Sequence, residues 1–150
     1  MTALITTDLV DLDLRATDRA GATAHLAGLL ASSGRVTDLE GFLADVRARE
    51  AQMPTGIEGG IGIPHARSRF VTAPTLGFGR SAAGVDFGAE DGPAHLIFLI
   101  AAPEGGGEDH MTILASLARR LVHRSFRESL LGAAEAQAVV DLVDREVLGR

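Results

Sequence analysis

The run Leu96-Ile97-Phe98-Leu99-Ile100-Ala101-Ala102 constrains the fold more than any other part of this 150-residue chain. An unbroken apolar stretch of that length fits one strand, and a strand without polar alternation belongs at the centre of a sheet covered on both faces. A membrane span would need roughly 20 such residues, and no run in the chain approaches that length.

The flanking sequence supplies the covering layers. From Thr17 to Ser33, Ala22, Leu26, Leu29 and Leu30 fall on one helical face, and Gly34 follows as a stop. Thr37-Asp38-Leu39-Glu40 reads as a capping box opening a second helix with the stripe Leu39, Phe42, Leu43 and Val46. After Asp109 the helical period returns through Ile113, Leu114, Leu117 and Leu121. Ser125 to Glu128 reads as another capping box, and Ala136, Val139, Val140, Val143 and Val147 mark the inner face of a last helix. Between these lie extended segments at Thr75–Arg80 and His95–Ala101, with a short piece at Val85–Gly88. Thr2 to Leu14 alternates loosely and reads as a further strand. From Met53 to Ile63, glycines at 56, 59, 60 and 62 surround isolated isoleucines, the pattern of a loop entering a strand. Helices, then strands, then helices, with no linker or repeat, predict an α/β three-layer sandwich. Its mixed β-sheet is covered by helices on both faces, in a single domain over residues 1–150.

Composition removes several function classes. Cysteine is absent, which excludes disulfides and thiolate metal sites and is compatible with a reducing compartment. A net charge of -6 argues against sequence-independent nucleic-acid binding, which draws on Lys and Arg contacts to phosphate. The same charge suits steering toward basic partners, and equally an ordinary acidic protein. With no Trp or Tyr, stacking on sugars or bases is a poor main device. The acids of Met1–Leu14 stand where a signal peptide would carry lysines, so a cytoplasmic location is expected. No HExxH spacing, G-x-S-x-G elbow or Walker A loop is present, so neither a metal nor a cofactor is expected.

The chemistry-bearing candidates are His65, His110 and Arg49. His65 follows Ile63-Pro64 and a glycine-rich segment. Proline fixes its own φ and pushes the preceding residue toward extended backbone, so the imidazole leaves the strand end in a defined direction. Nearby glycines let backbone N–H groups approach an anion. With an ordinary pKa near ~6.5, a neutral nucleophilic nitrogen is available for reversible phosphorylation. The same context also suits a histidine merely packed beside a tight turn. His110 follows Asp109, a candidate N-cap, and so falls in a helix first turn, where an anion is favoured; a surface histidine in a cap reads identically. Arg49 could clamp phosphoryl oxygens with paired bonds, or be a solvated charge near a helix end. His25, His95 and His123 read as structural.

Three segments, in order, carry a resemblance. Arg49-Glu50, Pro54-Thr55-Gly56-Ile57 and Gly60-Ile61-Gly62-Ile63-Pro64-His65-Ala66 resemble the segment around the phosphorylated histidine of fructose- and mannitol-class IIA proteins of sugar phosphotransferase systems (the PTS EIIA type-2 family). Asp86-Phe87-Gly88, Asp91-Gly92-Pro93 and Leu96 to Pro103 are similar to that family's middle, and His110-Met111 with Leu114, Leu117 and Ala118 to its second active-site helix. The resemblance implies a phosphotransferase component of the fructose branch. His65 would take phosphate from phospho-HPr on Nε2 and pass it to a IIB component, for uptake and phosphorylation of fructose or a related sugar. His110 would hydrogen-bond the phosphoryl group and Arg49 would neutralise its charge. The membrane is implied only indirectly, through IIC. Gly62 stands where the family usually has alanine, and Met111 where it has leucine. Nitrogen-related IIA proteins, which regulate partners and transport no sugar, are the alternative on the same fold. A non-catalytic binding domain is opposed by the presence of all three candidates.

Overall fold

The computed structural model describes residues 3–105 and 109–148, with the side chains of 109–111 outside the described set. Helices α1 (Arg19–Ser32) and α2 (Leu39–Gln52) come first, after a 3-10 turn at Thr7–Leu9 and the two-residue strand β1 (Val10–Asp11). Strands β2 (Gly56–Ile57), β3 (Ile61–Gly62), β4 (His65–Ser68), β5 (Thr75–Val85) and β6 (Ala94–Pro103) follow, and α3 (Asp109–Leu121), α4 (Arg124–Gly132) and α5 (Ala136–Glu146) close the order.

The apolar run forms the middle of β6, at the centre of a six-stranded mixed sheet ordered β1-β5-β6-β3-β2, with β4 also paired to β6. β5 runs antiparallel to β6 in the register Phe78↔Phe98, while β3 and β4 run parallel to it. β3 and β4 are one extended path: Ile61↔Leu96, Gly62↔Ile97, His65↔Ile100 and Ser68↔Pro103 keep a single register. Pro64 interrupts it because proline has no N–H to donate, although its carbonyl still accepts from Ile100 N–H at 3.0 Å.

Helices α1 and α2 pack on β5 and β4 respectively. On the other face, Arg80 of β5 reaches the C-terminal end of α4 and donates to the carbonyls of Leu130, Leu131 and Ala133 at 3.1, 3.0 and 2.7 Å. Those carbonyls are among the acceptors that a helix end leaves without an intrahelical partner, so the guanidinium caps the helix and pins it to the sheet. Phe42, Phe78, Phe87 and Phe98 are fully buried, the rings of Phe78 and Phe98 4.9 Å apart. The expected α/β three-layer sandwich is thus present.

Several local expectations are corrected. Among the described residues of the strand expected over Thr2–Leu14, only Val10–Asp11 forms a ladder with β5: the 3-10 turn Thr7–Leu9 breaks the extended path, leaving single bonds to β5 from Leu76 N–H to the Leu4 carbonyl and from Leu14 N–H to the Arg80 carbonyl. β5 continues through a register shift as far as Val85, absorbing part of the separate piece expected at Val85–Gly88. The Met53–Ile63 loop contains a hairpin in which Gly56 faces Gly62, turning through Gly59 and Gly60 with φ of +99° and +77°. The cap of α2 is Asp38, which accepts from Gly41 N–H at 3.1 Å, while the Thr37 hydroxyl turns to the Phe70 carbonyl. The second capping box does not form either. α4 starts at Arg124 with His123 as its N-cap, two residues early, and Glu128 pairs with that arginine at 3.0 Å. Residues 106–108 lie outside the described residues, as does any capping by Asp109.

Candidate functional site

His65 opens β4, immediately after the Ile63-Pro64 interruption. Its Nδ1 stands 2.8 Å from the Ile63 carbonyl oxygen. A carbonyl only accepts, so in the neutral ring the proton sits on Nδ1 and the lone pair on Nε2. His65 exposes 7% of its surface, and burial pushes its pKa below the ordinary imidazole value of 6.5. The Ile63 carbonyl opposes that shift, the Arg49 charge adds to it, and the Glu50 carboxylate opposes it. The outcome is an uncharged imidazole near pH 7, in a fixed tautomer.

The imidazole lines a cleft of about 450 Å³ together with Asp45, Ala48, Arg49, Gln52, Arg67 and Leu114. The cleft therefore draws on the last two turns of α2, on β4 and on α3. The structure brings Arg49 and His65 into this one recess. The Arg49 guanidinium is half-exposed and donates to the Met53 carbonyl at 3.1 Å, a bond to the C-terminal end of its own helix. His110 lies in the first turn of α3, one turn before Leu114, and its side chain is outside the described residues. A cation at the cleft wall and a helix N-terminus nearby both favour an anion beside Nε2.

Two residues received no role from sequence reasoning. The Glu50 carboxylate accepts from Thr55 N–H at 2.8 Å and from the Thr55 hydroxyl at 2.7 Å, directly behind the site. Spacing alone carries no trace of this, because the contact depends on where the chain turns after α2. The three histidines read as structural behave so. His25 pairs with Asp11 at 2.7 Å, His95 Nδ1 lies 2.8 Å from the Ser81 carbonyl, and His123 joins α3 to α4.

Comparison with known proteins bears on this geometry. Residues 3–146 match the family model described as "Phosphoenolpyruvate-dependent sugar phosphotransferase system, EIIA 2". The chain is 43% identical over 137 residues to the PTS system fructose-specific EIIA component of Haloferax volcanii, covering 91% of this chain and 89% of that protein. It is 34% identical over 146 residues to the PTS system fructose-specific EIIABC component of Bacillus subtilis, spanning 97% of this chain but only 23% of that longer protein. Among solved structures, the nitrogen regulatory protein IIA-Ntr of Neisseria meningitidis superposes with a TM-score of 0.85 at 28% identity, over 93% of this chain and 96% of that one.

Proposed function

The chain belongs to the phosphoenolpyruvate-dependent sugar phosphotransferase system EIIA 2 family, and from that premise we propose that it carries a phosphoryl group on His65 Nε2. The group comes from phospho-HPr and goes to a IIB component, serving uptake of fructose or a related sugar. Residues 1–150 are read as one such domain, working in the cytoplasm. No described helix is long and apolar enough to cross a membrane. Contact with the membrane is through IIC.

The observation that carries this reading is the Nδ1–H to Ile63 carbonyl bond in a cleft shared with Arg49. The Nε2 lone pair attacks the phosphorus of the donor phosphohistidine. As the new N–P bond forms, the bond to the donor nitrogen breaks and the donor imidazole leaves with its electron pair. No proton has to leave His65, because the tautomer already places it on Nδ1. The lowered pKa keeps the nucleophile deprotonated at Nε2 without an external base. Transfer to IIB is the same displacement with roles reversed. Little covalent chemistry is asked of the remaining residues, which position the group and offset its charge. Arg49 does so after leaving the Met53 carbonyl, and His110 donates from the first turn of α3.

The regulatory reading has one observation in its favour, the superposition on IIA-Ntr at a TM-score of 0.85. Against it stands the 43% identity to a fructose-specific component over most of both chains. Purified IIB and IIC, supplied with the phosphorylated chain, separate the two: fructose phosphate forms on the transport reading. Normal phosphorylation of the chain with no transfer to any sugar-specific IIB would favour regulation.

A further inference from the structure

We infer that Glu50 is a positioning residue for His65, acting through Thr55 and the backbone of Ile63. The inference deepens the proposed carrier role and rests on it. The chain of contacts is continuous. Glu50 Oε2 accepts from Thr55 N–H at 2.8 Å, and Oε1 accepts from the Thr55 hydroxyl at 2.7 Å. The Thr55 carbonyl accepts from Ile63 N–H at 3.1 Å, and the Ile63 carbonyl takes the Nδ1 proton of His65 at 2.8 Å. One carboxylate thus clamps Thr55 at two points. Thr55 then holds the N–H of Ile63, the residue whose carbonyl selects the imidazole tautomer.

The clamp is built to hold. Thr55 exposes 5% of its surface and the Glu50 side chain 11%, so the bonds lie largely out of water. Arg19 donates to Glu50 Oε2 at 3.2 Å and so offsets the buried charge, and its Nε is held by the Asp86 carbonyl at 3.1 Å. Charge-assisted bonds of this kind are stronger than neutral ones and fix geometry. Without the carboxylate, Thr55 would keep a buried N–H and hydroxyl with no acceptor. The segment from Met53 to Thr55 would then shift, and Ile63 with it. Electrostatics act alongside geometry, since the Glu50 charge holds the His65 pKa up against burial.

The test is Glu50→Gln in the full chain, read by 15N NMR of the His65 ring, assigned with His65→Asn. Wild-type protein should show a protonated Nδ1 and a pyridine-like Nε2. Glu50→Gln should show a mixture of the two tautomers and a lower imidazole pKa, in a protein that still folds. Phosphate uptake from phospho-HPr should fall by about 10- to 100-fold, the usual effect of misplacing a reacting atom. An unchanged tautomer would overturn the inference whatever the rate does, since a merely structural role would leave the ring alone. An altered tautomer with an unchanged rate would overturn it too. If Glu50→Gln does not fold, Thr55→Val, which removes only the hydroxyl bond, decides in the same way, with Thr55→Ser expected to restore the wild-type signal. The ring signals are recorded without phosphate, so a wild-type chain that accepts none would sink the carrier reading separately.

Discussion

Substituting Gly62 by alanine should destabilise the fold at the strand that leads into His65. An alanine Cβ there would stand 2.7 Å from both Cδ2 and Cγ of Phe87, where ordinary contact begins at 3.4 Å. Phe87 is fully buried, and Cγ is the root of its ring, so the ring cannot swing a flexible tip aside. It has to retreat bodily by about 0.7 Å into packed surroundings. Overfilling of this kind costs about 1–3 kcal/mol. The stiffer unfolded chain returns about 0.4–1 kcal/mol, because replacing glycine removes conformations the unfolded state would otherwise visit. Midpoint against midpoint, the net loss is about 1 kcal/mol, or roughly 2–4 °C in Tm for a chain of this size. Urea denaturation of Gly62→Ala, Phe87→Leu and the double variant forms the cycle that isolates the contact. The double variant should be more stable than the sum of the single losses. A Gly62→Ala protein as stable as wild type would refute the argument, and would show that the ring has room the structure does not reveal.

Two further outcomes follow from the site. His110→Ala should still accept phosphate but hand it on more slowly, at most by about 10²–10³, the cost of losing one donor at a charge-stabilising site; an unchanged rate in a quenched-flow transfer assay would make His110 a bystander. The pH dependence has a definite sign. The folded pKa of His65 lies below 6.5, so between the two values the unfolded chain binds the extra proton and stability falls as pH drops. Denaturation curves of wild type should therefore lose stability below pH ~6.5 more steeply than those of His65→Asn. The rate of phosphate acceptance should hold down to a midpoint below that value. A midpoint at or above it would contradict the buried, neutral imidazole.

The sheet and its covers were legible where burial alone decides. The run Leu96 to Ala102 had to be central because it has no polar face, and the stripes of α1, α2 and α5 reported their own burial. What escaped was decided by competition between neighbours of equal local merit. Thr37 and Asp38 are both good caps for α2, and tertiary placement of the Thr37 hydroxyl on the Phe70 carbonyl left Asp38 to do it. Ser125 lost its cap position because α4 begins at Arg124, beside the helix junction at His123. At the site, the direction of His65 was readable from Pro64, whose geometry is intrinsic to proline. The cleft shared with Arg49 was implied by resemblance and not by spacing. Arg80, Glu50 and Thr55 escaped because their partners are long-range backbone atoms or lie across a turn, and no periodicity encodes such contacts.

In the proposed cycle phosphate rests on one nitrogen of one histidine. Incubating the chain with Enzyme I, HPr and phosphoenolpyruvate, then mapping the modified residue by mass spectrometry and the bonded nitrogen by 15N–31P NMR, tests it directly. One phosphoryl group is expected, on His65 Nε2, and none on a folded His65→Ala control. Phosphate on another histidine, attachment through Nδ1, or full labelling of the His65→Ala protein would contradict it.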